Sequence, residues 1–151
     1  MGIEEKLQAM DELLPEVAVP VGAYVPAIRS GQFVYTSGQL PMAEGRLRYT
    51  GKVGADVTID DGYQAARLCV LNALAAVKHV VGDLTQVKRV VKVTGFVNCL
   101  PDFTQQAKVV NGASELLGGL FDEGHARSAV GVAALPLNAT VEVELIFELV
   151  Q

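Results

Sequence analysis

The stretch VKRVVKVTGFV, from Val87 to Val97, decides the fold. Val90, Val91, Val93, Phe96 and Val97 make it apolar on both sides of the two-residue alternation of a strand, so both of its faces need cover. Such a strand belongs at the centre of a sheet. Helical patterns flank it on either side. Before it, Thr58-Ile59-Asp60-Asp61 opens a helix with a capping pattern and an acidic pair at the positive end of the dipole. The spacing predicts that this helix runs to about Val81. Ala66, Val70, Ala73, Leu74 and Val77 form its broad apolar face, and Gln64, Arg67, Lys78 and His79 a narrow polar stripe. After the strand, Asp102 with Gln105 three residues on predicts the cap of a second helix, apolar at Phe103, Ala107, Val110, Leu116 and Leu117 and ended by Gly118-Gly119.

Further out, Ala27-Ile28-Arg29 and Phe33-Val34-Tyr35-Thr36 flank Ser30-Gly31 and predict a hairpin. Residues 41–57 hold Gly45, Gly51 and Gly54 and read as a loop with room for one short extra strand. Ser128 to Ala133 and Thr140 to Val150 read as the last two strands, turned at Pro136 and Asn138. In the final strand Val141, Val143, Leu145, Phe147 and Leu149 alternate with Glu142, Glu144 and Glu148. Ile3, Leu7, Met10 and Leu14 predict an amphipathic helix over 3–14, stopped by Pro15. These elements add up to an α+β class: a mostly antiparallel sheet of five strands, or six with the loop strand, with two helices on one face. The chain is expected to be one domain over 1–151, with a helix and connector over 1–20 and a core over 21–151. The uncovered sheet face is expected to pack against copies of the chain, with sites forming between subunits.

Composition narrows the function. Half of the 151 residues are apolar and 19% are charged, against a usual share of about 25% charged, which again points to surface left for self-association. Twelve basic against seventeen acidic residues give a net charge of −5, and no run of Lys/Arg offers a footprint for a phosphate backbone, so nucleic-acid binding is disfavoured. The longest uncharged stretches, Ser30–Ala43 and Ser128–Val141, are broken by Gly and Pro and too short to span a membrane. The N-terminus lacks a signal-peptide layout, so a cytoplasmic location is expected. Cys69 and Cys99 have neither disulfide nor metal spacing and read as buried small hydrophobes. No P-loop, dinucleotide, zinc or calcium motif occurs, so no cofactor or metal is implied.

The chemistry-bearing candidates are few. Arg127 is the one certain charge in GHARSAVGVAALPLNATV (Gly124–Val141), at the mouth of a small-residue strand. It is either a bidentate clamp on a carboxylate or an exposed strand-start arginine. Glu142 is either a general base for water, if a hairpin at Pro136–Asn138 brings it near the Arg127 strand, or a solvated glutamate like Glu144 and Glu148. Ser37, at a strand end beside Gly38, reaches a ligand or serves a turn. It has no local base to make it a nucleophile. Tyr24 is a pocket wall or a core aromatic. His79 reads as a solvent-facing helix-end residue and His125 as a loop residue.

Together these segments resemble the Rid family of reactive-intermediate deaminases, also called the YjgF family and often labelled endoribonuclease L-PSP. The resemblance covers about Gly22 to Leu149. It is carried most specifically by Ala126-Arg127-Ser128-Ala129-Val130-Gly131-Val132-Ala133-Ala134-Leu135, then Val141-Glu142-Val143. Val34 to Pro41, Val91 to Val97 and Asn111 support it. The resemblance implies a chorismate-mutase-like fold, a homotrimer with ligand clefts between subunits, and hydrolysis of 2-imino acids or their enamines, such as 2-aminoacrylate and 2-iminobutyrate, to 2-keto acids and ammonia. It also implies site roles. Arg127 holds the substrate carboxylate, Glu142 positions the attacking water, backbone groups of Ala129 face the imine, and Tyr24, Ser37 and Asn111 line the cleft. Three departures stand out: Ala129 occupies a position that is often cysteine, Gly22-Ala23-Tyr24 lacks the usual proline, and the N-terminal helix is additional to the shorter members. A non-catalytic keto-acid-binding protein is the main alternative. An endoribonuclease or translation inhibitor is disfavoured by the acidic charge and the lack of a histidine pair.

Overall fold

The computed structural model describes all 151 residues. Its elements follow in the order α1 (Ile3–Ala9), β1 (Ala27–Ser30), β2 (Phe33–Thr36), β3 (Met42–Ala43), β4 (Arg46–Leu47), α2 (Ile59–Val81), β5 (Val87–Asn98), α3 (Gln106–Leu120), β6 (Ala126–Val132) and β7 (Val141–Leu149). The main sheet has the order β1-β2-β7-β5-β6. Three of its pairings are antiparallel, and β5–β6 is parallel. The doubly apolar stretch 87–97 is an interior strand, paired on both edges and bulged near Arg89 and Lys92. The expected sixth strand does not join this sheet. β3 and β4 pair only with each other, as a two-residue ribbon.

α2 and α3 lie side by side on one face of the sheet, and the core between them and the strands includes Val70, Leu74, Val93, Val110, Leu116, Leu145 and Phe147, each at most 1% exposed. Thr58 caps α2 as the sequence indicates, its hydroxyl accepting from the Asp61 N–H at 3.1 Å. The helices touch closely at Gly112, where a Cβ would collide with the Tyr63 carbonyl oxygen. α3 begins later than its sequence signals suggest. Asp102 does not cap it; Gln105 stands at the N-cap without a side-chain bond. The helix also passes through Gly118-Gly119 and ends at Leu120.

The N-terminal helix covers 3–9 rather than 3–14. Asp11 adopts φ 58°. The Asp11 N–H donates to the Gln8 carbonyl at 3.0 Å and the Glu12 N–H to the Leu7 carbonyl at 2.9 Å, the paired bonds of a Schellman ending. Leu7 is 1% exposed, and ion pairs Glu4–Lys78 and Glu12–Arg67 tie the N-terminal segment to α2. No helix is long and apolar enough to cross a membrane.

The opposite sheet face carries no helix. Exposed Ile28, Phe33, Tyr35 and Val130 lie there, with Glu142, Glu144 and Glu148.

Candidate functional site

The chemistry-bearing residues gather in two places. The first is built by β6 and α3. Strand alternation sends Arg127 and Ala129 toward the helices, while Ser128 and Val130 face away; Arg127 pairs across the sheet with the buried Val93 and Ala129 packs against the core. The Arg127 Nη1 donates to Asn111 Oδ1 at 2.8 Å and to Ser114 Oγ at 3.1 Å, and Nη2 donates to the Ala107 carbonyl at 3.3 Å. Ala107, Asn111 and Ser114 rise along one side of α3 at spacings of four and three, so one helix face holds the whole guanidinium. A guanidinium has five N–H donors in a fixed fork. Three are used inside the chain, which leaves two, on Nε and Nη2, the number that a bidentate carboxylate requires.

His125 joins this group. Its Nε2 lies 2.9 Å from Ser114 Oγ. Burial, and then the charge of Arg127, hold the imidazole below the ordinary histidine value. His125, a loop residue just before β6, is therefore part of the Arg127 cluster.

The second place lies across the sheet. Glu142 projects from β7 on the face without helices, opposite Phe96. Its carboxylate rests over Gly38, where a Cβ would collide with Oε2. A side chain at position 38 would force the Glu142 carboxylate to move. Burial, and then the neighbouring Glu144, raise the Glu142 carboxyl above its usual value. The Ser37 hydroxyl donates to the Val25 carbonyl. Gln39 exchanges backbone bonds with Val143 at 2.8 and 3.0 Å, which stitches residues 37–40 along β7. Tyr24, 45% exposed, lines a small cavity with Val19, Val21, Gly38, Gln39 and Leu40. It is a cavity wall rather than a core aromatic.

Asn111, Arg127 and Ala129 thus stand together, as do Tyr24, Ser37 and Glu142. The two sets do not meet within one chain. β6 and β7 do not form a hairpin; β5 lies between them, and Arg127 and Glu142 point to opposite faces. The expectation that a turn at Pro136–Asn138 would bring Glu142 to the Arg127 strand is corrected by this topology. Reading the residues one by one also missed Ser114, His125 and the Ala107 carbonyl. Their spacing carried the signal, since Ser114 follows Asn111 by three on a helix and His125 precedes Arg127 by two at a strand entry.

Comparison with known proteins settles the family. Residues 4–149 match the family model described as "YjgF/chorismate mutase-like, putative endoribonuclease". The chain belongs to the YjgF, or Rid, family. Among the relatives it matches, protein TCP17 of Trypanosoma cruzi is 44% identical over 97% of this chain and 94% of its own length. The 2-iminobutanoate/2-iminopropanoate deaminase of Escherichia coli is 34% identical over 83% of this chain and 87% of its own. Two crystal structures share the fold. Atu1372 of Agrobacterium tumefaciens, of unknown function, superposes with a TM-score of 0.91 at 46% identity, covering 98% of this chain and 92% of that one. E. coli TdcF with bound serine superposes at 0.61 with 29% identity, covering 91% and 95%. The Rid fold, with three helices and a mixed sheet, is the one described above.

Proposed function

We propose that this Rid protein hydrolyses 2-imino acids and their enamine tautomers to 2-keto acids and ammonia, in a site built by two copies of the chain. The observation that carries the reading is the Arg127 guanidinium, held by Asn111, Ser114 and Ala107 with two donors left over. Two parallel N–H groups match the two oxygens of a carboxylate, and preorganising them avoids the cost of orienting a free arginine during the reaction. The deaminase name of an E. coli relative and the serine bound to TdcF support a small substrate bearing a carboxylate and a nitrogen.

The chemistry asks little of the protein. The imine carbon is already electrophilic. Water adds to it as Glu142 takes a proton from the water and passes it to the imine nitrogen, giving a neutral carbinolamine. The C–N bond then breaks, ammonia leaves and the carbonyl forms. An enamine first gains a proton at carbon and loses one from nitrogen to become the imine. A carboxyl whose pKa is raised by burial is a better base near neutral pH than an ordinary glutamate. Ser37, Tyr24 and the backbone of Ala129 line the cleft around this water in the proposed site.

Glu142 and Arg127 face opposite ways in one chain, so a site that uses both draws them from different subunits. The bare sheet face, with Ile28, Phe33, Tyr35 and Val130 exposed, supports self-association, and the Rid resemblance makes a trimer the proposed assembly. The test supplies 2-aminoacrylate or 2-iminobutyrate in situ from a dehydratase and follows pyruvate or 2-ketobutyrate release. Wild type should accelerate release and Arg127→Ala should lose about a hundredfold in rate. Equal release with and without wild-type protein, combined with tight keto-acid binding, would instead make this a binding protein.

A further inference from the structure

We propose that Ser114 and His125 form a relay that positions Arg127: the guanidinium donates to the Ser114 oxygen, the Ser114 hydroxyl donates to Nε2 of a neutral His125, and this fixes which N–H groups the clamp presents. The inference rests on the reading of Arg127 as a carboxylate clamp.

Proton accounting gives the direction of the relay. A guanidinium can only donate, so Ser114 Oγ is the acceptor of the 3.1 Å bond from Arg127 Nη1. The hydroxyl has a single hydrogen, and the neighbouring nitrogen, His125 Nε2, lies 2.9 Å away. If that nitrogen carried a proton, Ser114 would accept twice and its own hydrogen would have no partner in a partly buried pocket, which is unfavourable. The arrangement that satisfies the Ser114 hydroxyl places the His125 proton on Nδ1 and leaves Nε2 as the acceptor.

The surroundings favour the neutral ring. Arg127 lies on the same side as His125 and disfavours a second cation, and burial acts in the same sense. Two neighbouring carboxylates are engaged elsewhere. Glu123, in the preceding turn, pairs with Arg89 at 2.7 Å, and Glu115 on α3 accepts from the Tyr63 hydroxyl at 2.7 Å. The relay has a purpose that Asn111 alone does not serve. Asn111 takes one Nη1 hydrogen and Ser114 takes the other, so the fork cannot turn Nη1 toward the substrate. Neither Ser114 nor His125 touches the substrate in this scheme; both are positioning residues.

Two readouts test this. Nitrogen-15 NMR of the imidazole in the full-length protein at neutral pH should show the Nδ1–H tautomer for His125, shifting toward a mixture in Ser114→Ala. A wild-type Nε2–H tautomer, or a ring signal unchanged by Ser114→Ala, overturns the relay. In the keto-acid assay, Ser114→Ala and His125→Ala should each raise KM about tenfold with kcat changed less than about threefold, as expected when a ground-state anchor is loosened. His125→Gln, which keeps an acceptor, should restore KM to near wild type. Failure of His125→Gln to restore it, with the variant folded by circular dichroism, also counts against the relay. If wild type has no deaminase activity the clamp reading fails, and the NMR result still decides the relay.

Discussion

Position 127 asks for more than a positive charge. Lysine carries three donors on one nitrogen and cannot satisfy Asn111, Ser114 and a two-oxygen ligand together. Arg127→Lys is expected to lower kcat/KM for 2-iminobutyrate by at least about tenfold, and wild-type values would refute bidentate anchoring. Glu142 makes the opposite kind of demand, since burial makes its charge costly. Its folded pKa is raised above the unfolded value, so the folded state binds the proton more tightly and loses stability as pH rises through the carboxylate range. Glu142→Gln should therefore raise Tm at pH 7, with the gain shrinking toward pH 4, while kcat falls about a hundredfold. A lower Tm at pH 7 would contradict this account of the residue. The roles assigned to these residues were legible only in part. Asn111 and Arg127 do meet, but the hydrophobic pattern of Ala126 to Val132 points the wrong way. Val130, which with Val132 is the bulkiest apolar residue there, lies on the bare face, 42% exposed, while Arg127 turns toward the helices.

At the scale of elements, the sequence spoke clearly wherever a local device decides the outcome. The Thr58 cap, the 27–36 hairpin and the doubly apolar central strand all follow from neighbours in the chain. It spoke less clearly where distant packing decides. α1 stops at Ala9 because Asp11 turns left-handed, though the apolar spacing continues to Leu14. The loop strand pairs with its own neighbour and packs against α2, and does not join the sheet. The helix pair depends on a close approach. Gly112→Ala would place a methyl group against the backbone of Tyr63 and push α2 from α3, at about 2 kcal/mol or more of overpacking. Chemical denaturation should show this as a clear fall in midpoint. An unchanged midpoint would mean that the helices tolerate wider spacing than described.

For the whole molecule, two features organise the account. The N-terminal arm docks through Leu7 and two ion pairs, and its exposed continuation leads to the cavity wall at Val19, Val21 and Tyr24. Leu7→Ala should cost about 3 kcal/mol by leaving a buried cavity, measured by denaturation of the full chain. The second feature is the division of the proposed site between two sheet faces. No single strand pattern reveals it, because it depends on β5 separating β6 from β7. It also provides the most direct test of the central claim. Arg127→Ala and Glu142→Gln proteins, each inactive alone, are mixed in equal amounts under subunit exchange and assayed for keto-acid release. If each site takes its arginine from one subunit and its glutamate from the next, random assembly leaves about a quarter of the sites intact, and a corresponding fraction of wild-type activity returns. No recovery, with exchange verified by mass spectrometry, would contradict a site shared between copies.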